Sequence, residues 1–401
     1  MFVSMLEFQR FVSAARRVLK ADDGRLWGVS MAGVPWLAFD GDRLLATEDP
    51  GIASFDRTGV GIWSGPKPTE LGAANTTVDW AGRRWATCSL PLNPDTAVRL
   101  LVHEAWHAIQ PQLLPGLSSG ESGPGREIFD TVEGRVWLRA ELTALSAALG
   151  STGASQRKSA EAALAFRARR YHLARAEERE RETLLDIAEG LAEYTGWRLS
   201  NGTSMQLAEA LTAPAPPSWT RAFCYRTGPA YGYLLDQFAP GWQSHVNAVR
   251  DLQALLARNL GNADRAAELE ASSYDVDVIR AEEIAAQKAI DEIKQRFTTS
   301  KRLRIRPDSA EQLNVVFDPR QVWVNDEGSI YGYLTWSDGR GSSLVAETGA
   351  LVCTDWTELW VPLGNATVGH GVTQGEGWQL DLSESWQIRI EGASVVLEPR
   401  S

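Results

Sequence analysis

Cysteine and histidine are scarce in this chain, and long apolar runs are missing from it. The three cysteines, Cys88, Cys224 and Cys353, are far apart and odd in number among 401 residues, so the sequence offers no disulfide framework and suits a reducing compartment. No stretch reaches the apolar length needed to cross a bilayer. The N-terminus lacks the texture of a secretory signal, because Glu7, Arg10, Arg16 and Arg17 interrupt its apolar residues. The cytoplasm is the expected compartment. Positive charge is also short: 40 Lys and Arg against 51 Asp and Glu leave a net charge of −11. That balance argues against nucleic acid or an anionic membrane as partner, since both require a basic surface. There is no Gly-x-Gly-x-x-Gly after a strand, no phosphate-binding Gly-Lys-Ser/Thr loop and no Cys-x-x-Cys. A serine-hydrolase elbow is absent as well.

What is present is the composition of a globular chain, 44% hydrophobic and 23% charged, long enough for two or three domains. The 16 tryptophans are spread along its whole length and read as aromatic cores. Apolar residues at helical spacing (Met5, Leu6, Phe11, Val12, Ala15, Leu19) open the chain. Short runs at 26–29, 35–39, 43–46, 60–63 and 84–90, separated by Asp-Gly and Pro-Lys-Pro turn signals, predict an antiparallel sheet. Helices are expected at 127–150, 154–177 and 181–199, then through 203–297, after a Gly/Pro/Ser-rich loop at 111–125. The charged residues of the second helix, Arg167, Arg169, Arg170, Arg175 and Glu177 to Glu180, read as a solvated face. From Leu303 onward, alternation and turns at 325–328, 337–341 and 364–365 predict an antiparallel sandwich. The expected class is α+β, with a helix and sheet in 1–92, a helical part in 93–298 and an all-β domain in 299–401.

Two of the five histidines fall in His103-Glu104-Ala105-Trp106-His107. On a helix this places two imidazoles one turn apart on one face, with a carboxylate beside the first. A catalytic zinc takes three protein ligands and keeps a position open for water, so His103 and His107 supply two, and Glu104 is the candidate general base. The uncharged flanks, Leu100 to Val102 and Ala105 to Ile109, suit a buried helix apart from the histidines themselves. Asn93 as cap, Pro94 in the first turn and Pro111 as terminator predict its bounds. His172, in a charged helix, is expected to be solvated, while His245 and His370 are isolated and read as structural.

The third ligand must come from downstream. Glu189 and Glu193, in Ala188-Glu189-Gly190-Leu191-Ala192-Glu193-Tyr194, lie four apart on one helical face. The first can bind the metal, and the second can accept from the distal nitrogen of a ligating histidine. The rival ligand is Glu133, in Asp130-Thr131-Val132-Glu133-Gly134-Arg135.

With these residues the chain resembles the gluzincin metallopeptidases, the thermolysin and aminopeptidase-like superfamily in which His-Glu-x-x-His is completed by a glutamate from a later helix. The likeness covers about residues 70–240. Glu189 lies further from His107 than in better-known members, which makes the intervening helices an inserted hairpin; Glu133 lies at the more usual distance. The resemblance implies a thermolysin-like helical catalytic core and one zinc ion per chain. It also implies an oxyanion-donating role for Tyr225, in Tyr225-Arg226-Thr227-Gly228; Tyr231 and Tyr233 are the less favoured tyrosines. Such aminopeptidases bind the substrate amine through a glutamate on an upstream strand, and Gly72-Ala73-Ala74-Asn75-Thr76 has none. The expected activity is therefore a zinc metallopeptidase acting on a peptide or protein, and not a dedicated aminopeptidase. Its alternatives are a peptidase-like scaffold without catalysis and a zinc hydrolase of a non-peptide amide or ester.

Overall fold

The computed structural model describes residues 2–68, 71–117, 128–260, 271–307, 314–318, 320–338 and 341–400. Most of the expected loop after the metal helix, and the expected turn at 337–341 in part, lie outside the described residues.

Helix α1 (Phe2–Asp22) buries Met5, Phe8, Val12, Ala15 and Leu19, one stripe at helical spacing. It stops at Asp23 and Gly24, both in the left-handed region. The Asp22 carboxylate then accepts from the backbone N–H of Gly24 and Leu26, so the expected strand at 26–29 is a turn. Six strands follow: β1 (Trp36–Asp40), β2 (Arg43–Ala46), β3 (Asp56–Arg57), β4 (Trp63–Pro66), β5 (Thr76–Trp80) and β6 (Arg83–Ser89). Their order is β3-β4-β2-β1-β6-β5. The sheet is mixed, correcting the antiparallel expectation: β1 and β6 run parallel, pairing Trp36 with Ala86 through Phe39 with Ser89. The hairpins β1–β2 and β5–β6 form locally, and these two inner strands join them. The pleat sends Trp36, Ala38, Ala86 and Cys88 toward the helices, and Leu37, Phe39 and Trp85 into a separate apolar cluster on the other face. β5 is an outer strand, and β6 is interior.

Helix α2 (Ala97–Leu113), which carries His103 to His107, packs on β5, β6 and α1. Asn93 caps the turn before it, accepting from Asp95 N–H, and regular helix begins only at Ala97. Pro111 sits inside the last turn and does not end the helix. Next come α3 (Val132–Leu149), α4 (Gly153–Leu173), α5 (Ala176–Leu185), a π-turn at Asp186–Gly190, α6 (Leu191–Leu199), α7 (Ser204–Leu211) and α8 (Cys224–Phe238). The short α9 (Val246–Val249) and α10 (Leu252–Leu260) precede the long α11 (Val276–Thr299). None of the described helices is long and apolar enough to cross a membrane.

The helices between the motif and Glu189 are part of the core. Glu141 of α3, fully buried, accepts from Arg167 Nε at 2.7 Å, Arg170 Nη1 at 2.5 Å and the Tyr231 hydroxyl at 2.9 Å. Arg170 also pairs with buried Glu182, and Arg167 Nη1 reaches Asp186 at 2.6 Å. The expected solvated face is thus half wrong: Arg169, Arg175, Glu177 and Glu180 are exposed, whereas Arg167, Arg170 and Glu178 are buried. Residues three apart on α4 point together toward Glu141, where carboxylates from α3, α5 and the π-turn compensate the two guanidinium groups. Arg167 and Arg170 hold Glu141 below the usual carboxylate range although burial opposes its charge, while at Asp186 burial dominates and pushes its pKa up to about 6.

After α11 come β7 (Arg302–Ile305), β8 (Asn314–Phe317), β9 (Val322–Asn325), β10 (Gly328–Tyr331), β11 (Leu334–Ser337), β12 (Ser343–Ala346), β13 (Ala350–Cys353), β14 (Leu359–Pro362), β15 (Gly371–Gly375), β16 (Trp378–Leu382), β17 (Trp386–Glu391) and β18 (Ser394–Pro399). They form two packed sheets, of seven strands (β17-β18-β7-β14-β13-β10-β9) and five strands (β15-β16-β12-β11-β8). All pairings are antiparallel except β7 with β18. Leu303, Trp336, Leu344, Val352 and Leu380 fill the space between the sheets. The outer face of the larger sheet, Trp323, Ile330, Leu351 and Trp360, packs on Ile290 and Phe297 of α11. The sandwich also touches the helical body: Ser218 N–H donates to Arg320 O at 3.0 Å, and Val324 N–H to Asp130 Oδ2 at 3.4 Å.

Removing one carboxylate from the buried network leaves guanidinium charge uncompensated. Glu141→Gln is predicted to lower unfolding free energy by about 3–5 kcal/mol in urea melts, whereas the exposed Glu177→Gln changes it by less than about 0.5 kcal/mol. Equal effects of the two would show that the network is not a stabilising constraint.

Candidate metal centre

Two close helix contacts bring the candidate ligands together. α6 lies against α2 where a Cβ on Gly196 would come within 2.9 Å of Arg99 O, and the π-turn before it lies against α8 where a Cβ on Gly228 would come within 2.2 Å of Gly190 Cα. Only glycines permit these approaches. The π-turn immediately before α6 carries Glu189, and Asp186 in the same turn accepts from the Thr227 hydroxyl of α8 at 2.6 Å. Such single π-turns often mark sites where one helical residue is re-aimed.

The result is a converging set of donors. His103 Nε2 and His107 Nε2 are 3.1 Å apart, and Glu189 Oε2 lies 3.6 Å from the first and 3.5 Å from the second. Donors held about 2.0–2.1 Å from a tetrahedral zinc stand about 3.3 Å from one another, so the three atoms already have the spacing of one face of that tetrahedron. They form a cluster able to hold a metal ion among the described residues. The other nitrogen of each ring is fixed: His103 Nδ1 lies 3.1 Å from Glu193 Oε2, and His107 Nδ1 lies 2.9 Å from Gln110 Oε1. Both partners are acceptors for an N–H at Nδ1, which leaves the Nε2 lone pairs for a cation. Glu193 is itself steadied by Arg99 Nε at 3.3 Å, and Gln110 Nε2 donates to Ala188 O in the π-turn at 3.5 Å.

Glu104 is 3% exposed, and its Oε2 is buried without a hydrogen-bond partner. An orphaned carboxylate oxygen beside two imidazoles is costly to stability and is the arrangement a proton acceptor requires. Tyr225, opening α8, donates its hydroxyl to Glu189 Oε2 at 3.1 Å, and its ring stacks on His103 at 6.0 Å between centroids. Behind α2, Trp106 packs on His107 and on Trp27, which meets Tyr194 and Trp242; the tryptophans here are core.

Burial opposes charge on His103, but hydrogen bonds to Glu189 and Glu193 and the field of Glu104 outweigh it and push its pKa up to about 10. His107 moves the same way against burial, through Glu189 first. Glu189, for which burial is again the largest opposing effect, is held well below the carboxylate range by the two histidines. Burial raises Glu104 and Tyr225. The side chains together favour positive charge at the point where the donors meet.

The structure therefore gathers His103, Glu104, His107, Glu189, Glu193 and Tyr225 into one site. It does not bring Glu133 there: that carboxylate stands on α3, ion-paired with Arg280 Nε at 2.8 Å. His172, His245 and His370 are exposed. Sequence reasoning missed Gln110, although it lies one turn after His107 on the same helix, and Arg99 and Arg221, which carry no local signal. Comparisons with protein-family models, curated proteins and solved structures found no match.

Elemental analysis of purified protein tests the cluster. One zinc per chain is expected in wild type and in Glu133→Ala and loss of it in Glu189→Ala; zinc retained without Glu189 would remove that carboxylate from the ligand set. Gly228→Ala, which forces backbone apart at the Gly190 contact, is expected to cost about 1–3 kcal/mol or more and to weaken zinc retention in a chelator titration. Unchanged retention would show that the contact does not position Glu189.

Proposed function

We propose that this chain is a zinc-dependent hydrolase, most concretely a metallopeptidase in which Glu104 is the general base. The observation that carries this reading is the arrangement of three converging donors beside a buried carboxylate that has an unused oxygen. A purely structural zinc closes its coordination with a fourth protein ligand and has no use for a base. Zinc held by His103, His107 and Glu189 would supply a lowered water pKa and polarisation of a carbonyl oxygen.

The chain's own residues account for the remaining work. Glu104 takes the proton of the attacking water and returns it to the leaving amine. Glu193 and Gln110 keep both imidazoles in the tautomer that offers Nε2. The Tyr225 hydroxyl, already beside Glu189 Oε2, donates to the negative charge that develops on the substrate oxygen. The outer strand β5, antiparallel to β6 and packed with it on α2, offers an edge left unpaired among the described residues, on which an extended peptide can add as a further strand. That edge favours a peptide over a small amide or ester.

Glu104→Gln is predicted to keep its zinc and lose about 10²–10⁴-fold in turnover of a peptide library, read by mass spectrometry of the products. A variant as active as wild type would overturn the assignment of the base. A zinc-loaded wild type that cleaves no peptide would overturn the peptidase reading in favour of a non-peptide amide or ester hydrolase or a scaffold.

A further inference from the structure

Arg221 lies beside the cluster without the partners that a buried charge requires. It sits in the turn leading into α8, four residues ahead of Tyr225, and its side chain is 17% exposed. Its Nη2 is 3.7 Å from Glu189 Oε1, beyond hydrogen-bond range, and its Nε is buried with no hydrogen-bond partner. Glu189 is the carboxylate within ion-pair reach of it among the described residues. A guanidinium has five N–H donors in a planar fork, and leaving even the buried Nε–H unmet forfeits the hydrogen bond that water would have supplied.

The contrast with the other buried arginines lies in their ion pairs. Arg167 and Arg170 share Glu141, Glu182 and Asp186, with contacts of 2.5–2.7 Å for several of those pairs, although Arg167 Nη2 is also buried without a hydrogen-bond partner. Arg221 makes one loose contact, to a residue whose charge a bound cation would neutralise in part. Its surroundings include Tyr225 and, from the sandwich, Tyr331 on β10 (Gly328–Tyr331), which act on it electrostatically. The guanidinium thus stands at the junction of the helical body and the sandwich, next to the reacting centre.

We propose that Arg221 recognises a carboxylate of the substrate close to the scissile bond, either a free C-terminus or an acidic side chain. This rests on the metallopeptidase reading. The planar fork matches a carboxylate in two parallel hydrogen bonds, which lysine or a neutral amide cannot reproduce. On a chain of net charge −11, an anionic substrate is repelled overall, so its capture needs a dedicated cation at the site. The missing amine-binding glutamate fits the same direction, with selection by an anionic group in place of an amine.

The test uses a degenerate N-acetylated hexapeptide library in three forms: with a free C-terminal carboxylate, as the C-terminal amide, and as the amide with Asp or Glu at each position in turn. Wild type is expected to cleave one of the two carboxylate-bearing forms about 10- to 100-fold faster in kcat/KM than the plain amide, the span of a charge-assisted hydrogen bond. The form preferred identifies the source of the carboxylate. In Arg221→Gln that ratio falls to near one, and Arg221→Lys recovers part of it. The same probes, fluorescein-labelled, are titrated into zinc-loaded Glu104→Gln and Arg221→Gln by anisotropy. Tighter binding of the carboxylate form that is lost in Arg221→Gln supports the proposal even where nothing is cleaved, in which case it is the peptidase reading that fails. Equal handling of all three forms by wild type overturns the proposal, as does a ratio that persists in Arg221→Gln.

Discussion

The contact of Gly190 with Gly228 is the constraint on which the site depends. A carboxylate from one helix has to meet two imidazoles from another, and the tolerance for this is a fraction of an ångström. The chain achieves it by lying without side-chain spacers against α2 at Gly196 of α6 and against α8 at Gly190 of the π-turn. The π-turn then points Glu189 at the histidines while Asp186, one turn earlier, is held by Thr227 of α8 and Arg167 of α4. Buried ion networks of this kind are generally worth little more than well-packed apolar residues of the same volume, although removing one member is costly. The use of this one is directional. Each carboxylate has partners fixed in space, so the π-turn cannot slide or rotate without leaving a charge unpaired.

What was legible in the sequence was what is local. His103, Glu104 and His107 share one helix, and the period of 3.6 residues alone brings them to one face. Glu189 and Glu193 stand out for the same reason. The shifts in detail have identifiable causes. Asn93 organises a turn before the helix, and Pro111 falls in the last turn, where it forgoes a single i→i−4 bond and only one more half-turn follows, so the helix of the motif starts later and runs further than its cap residues suggest. Glu133 had an attractive separation from His107, but separation along a chain says nothing about direction, and α3 turns that carboxylate to Arg280.

Other features could not be read because they exist only between elements. Arg167 and Arg170 belong to a charged stretch that looks solvated, and it is Glu141, on another helix, that makes their burial tolerable. The helices between His107 and Glu189, which the resemblance casts as an inserted hairpin, supply that glutamate and pack on α7 and α8. The parallel pairing of β1 with β6 joins two hairpins across a long separation, and neither strand's alternation records its neighbour's direction. Arg221 is one arginine among many until Glu189, Tyr225 and the sandwich are placed around it.

The balance of charge at the site also bears on what kind of centre this fold could sustain. Glu104, Glu189 and Glu193 surround two imidazoles whose Nδ1 positions are committed as donors, and two guanidinium groups, of Arg99 and Arg221, approach from the sides. Arg99 is spent on Glu193 and stacks on Trp197. Glu104, by contrast, keeps an oxygen without a donor, and Arg221 keeps donors without an acceptor. On the proposed reading, the open Glu104 oxygen accepts from the attacking water and the open Arg221 donors bind an anionic group of the substrate, so that both are completed only when the reactants are bound.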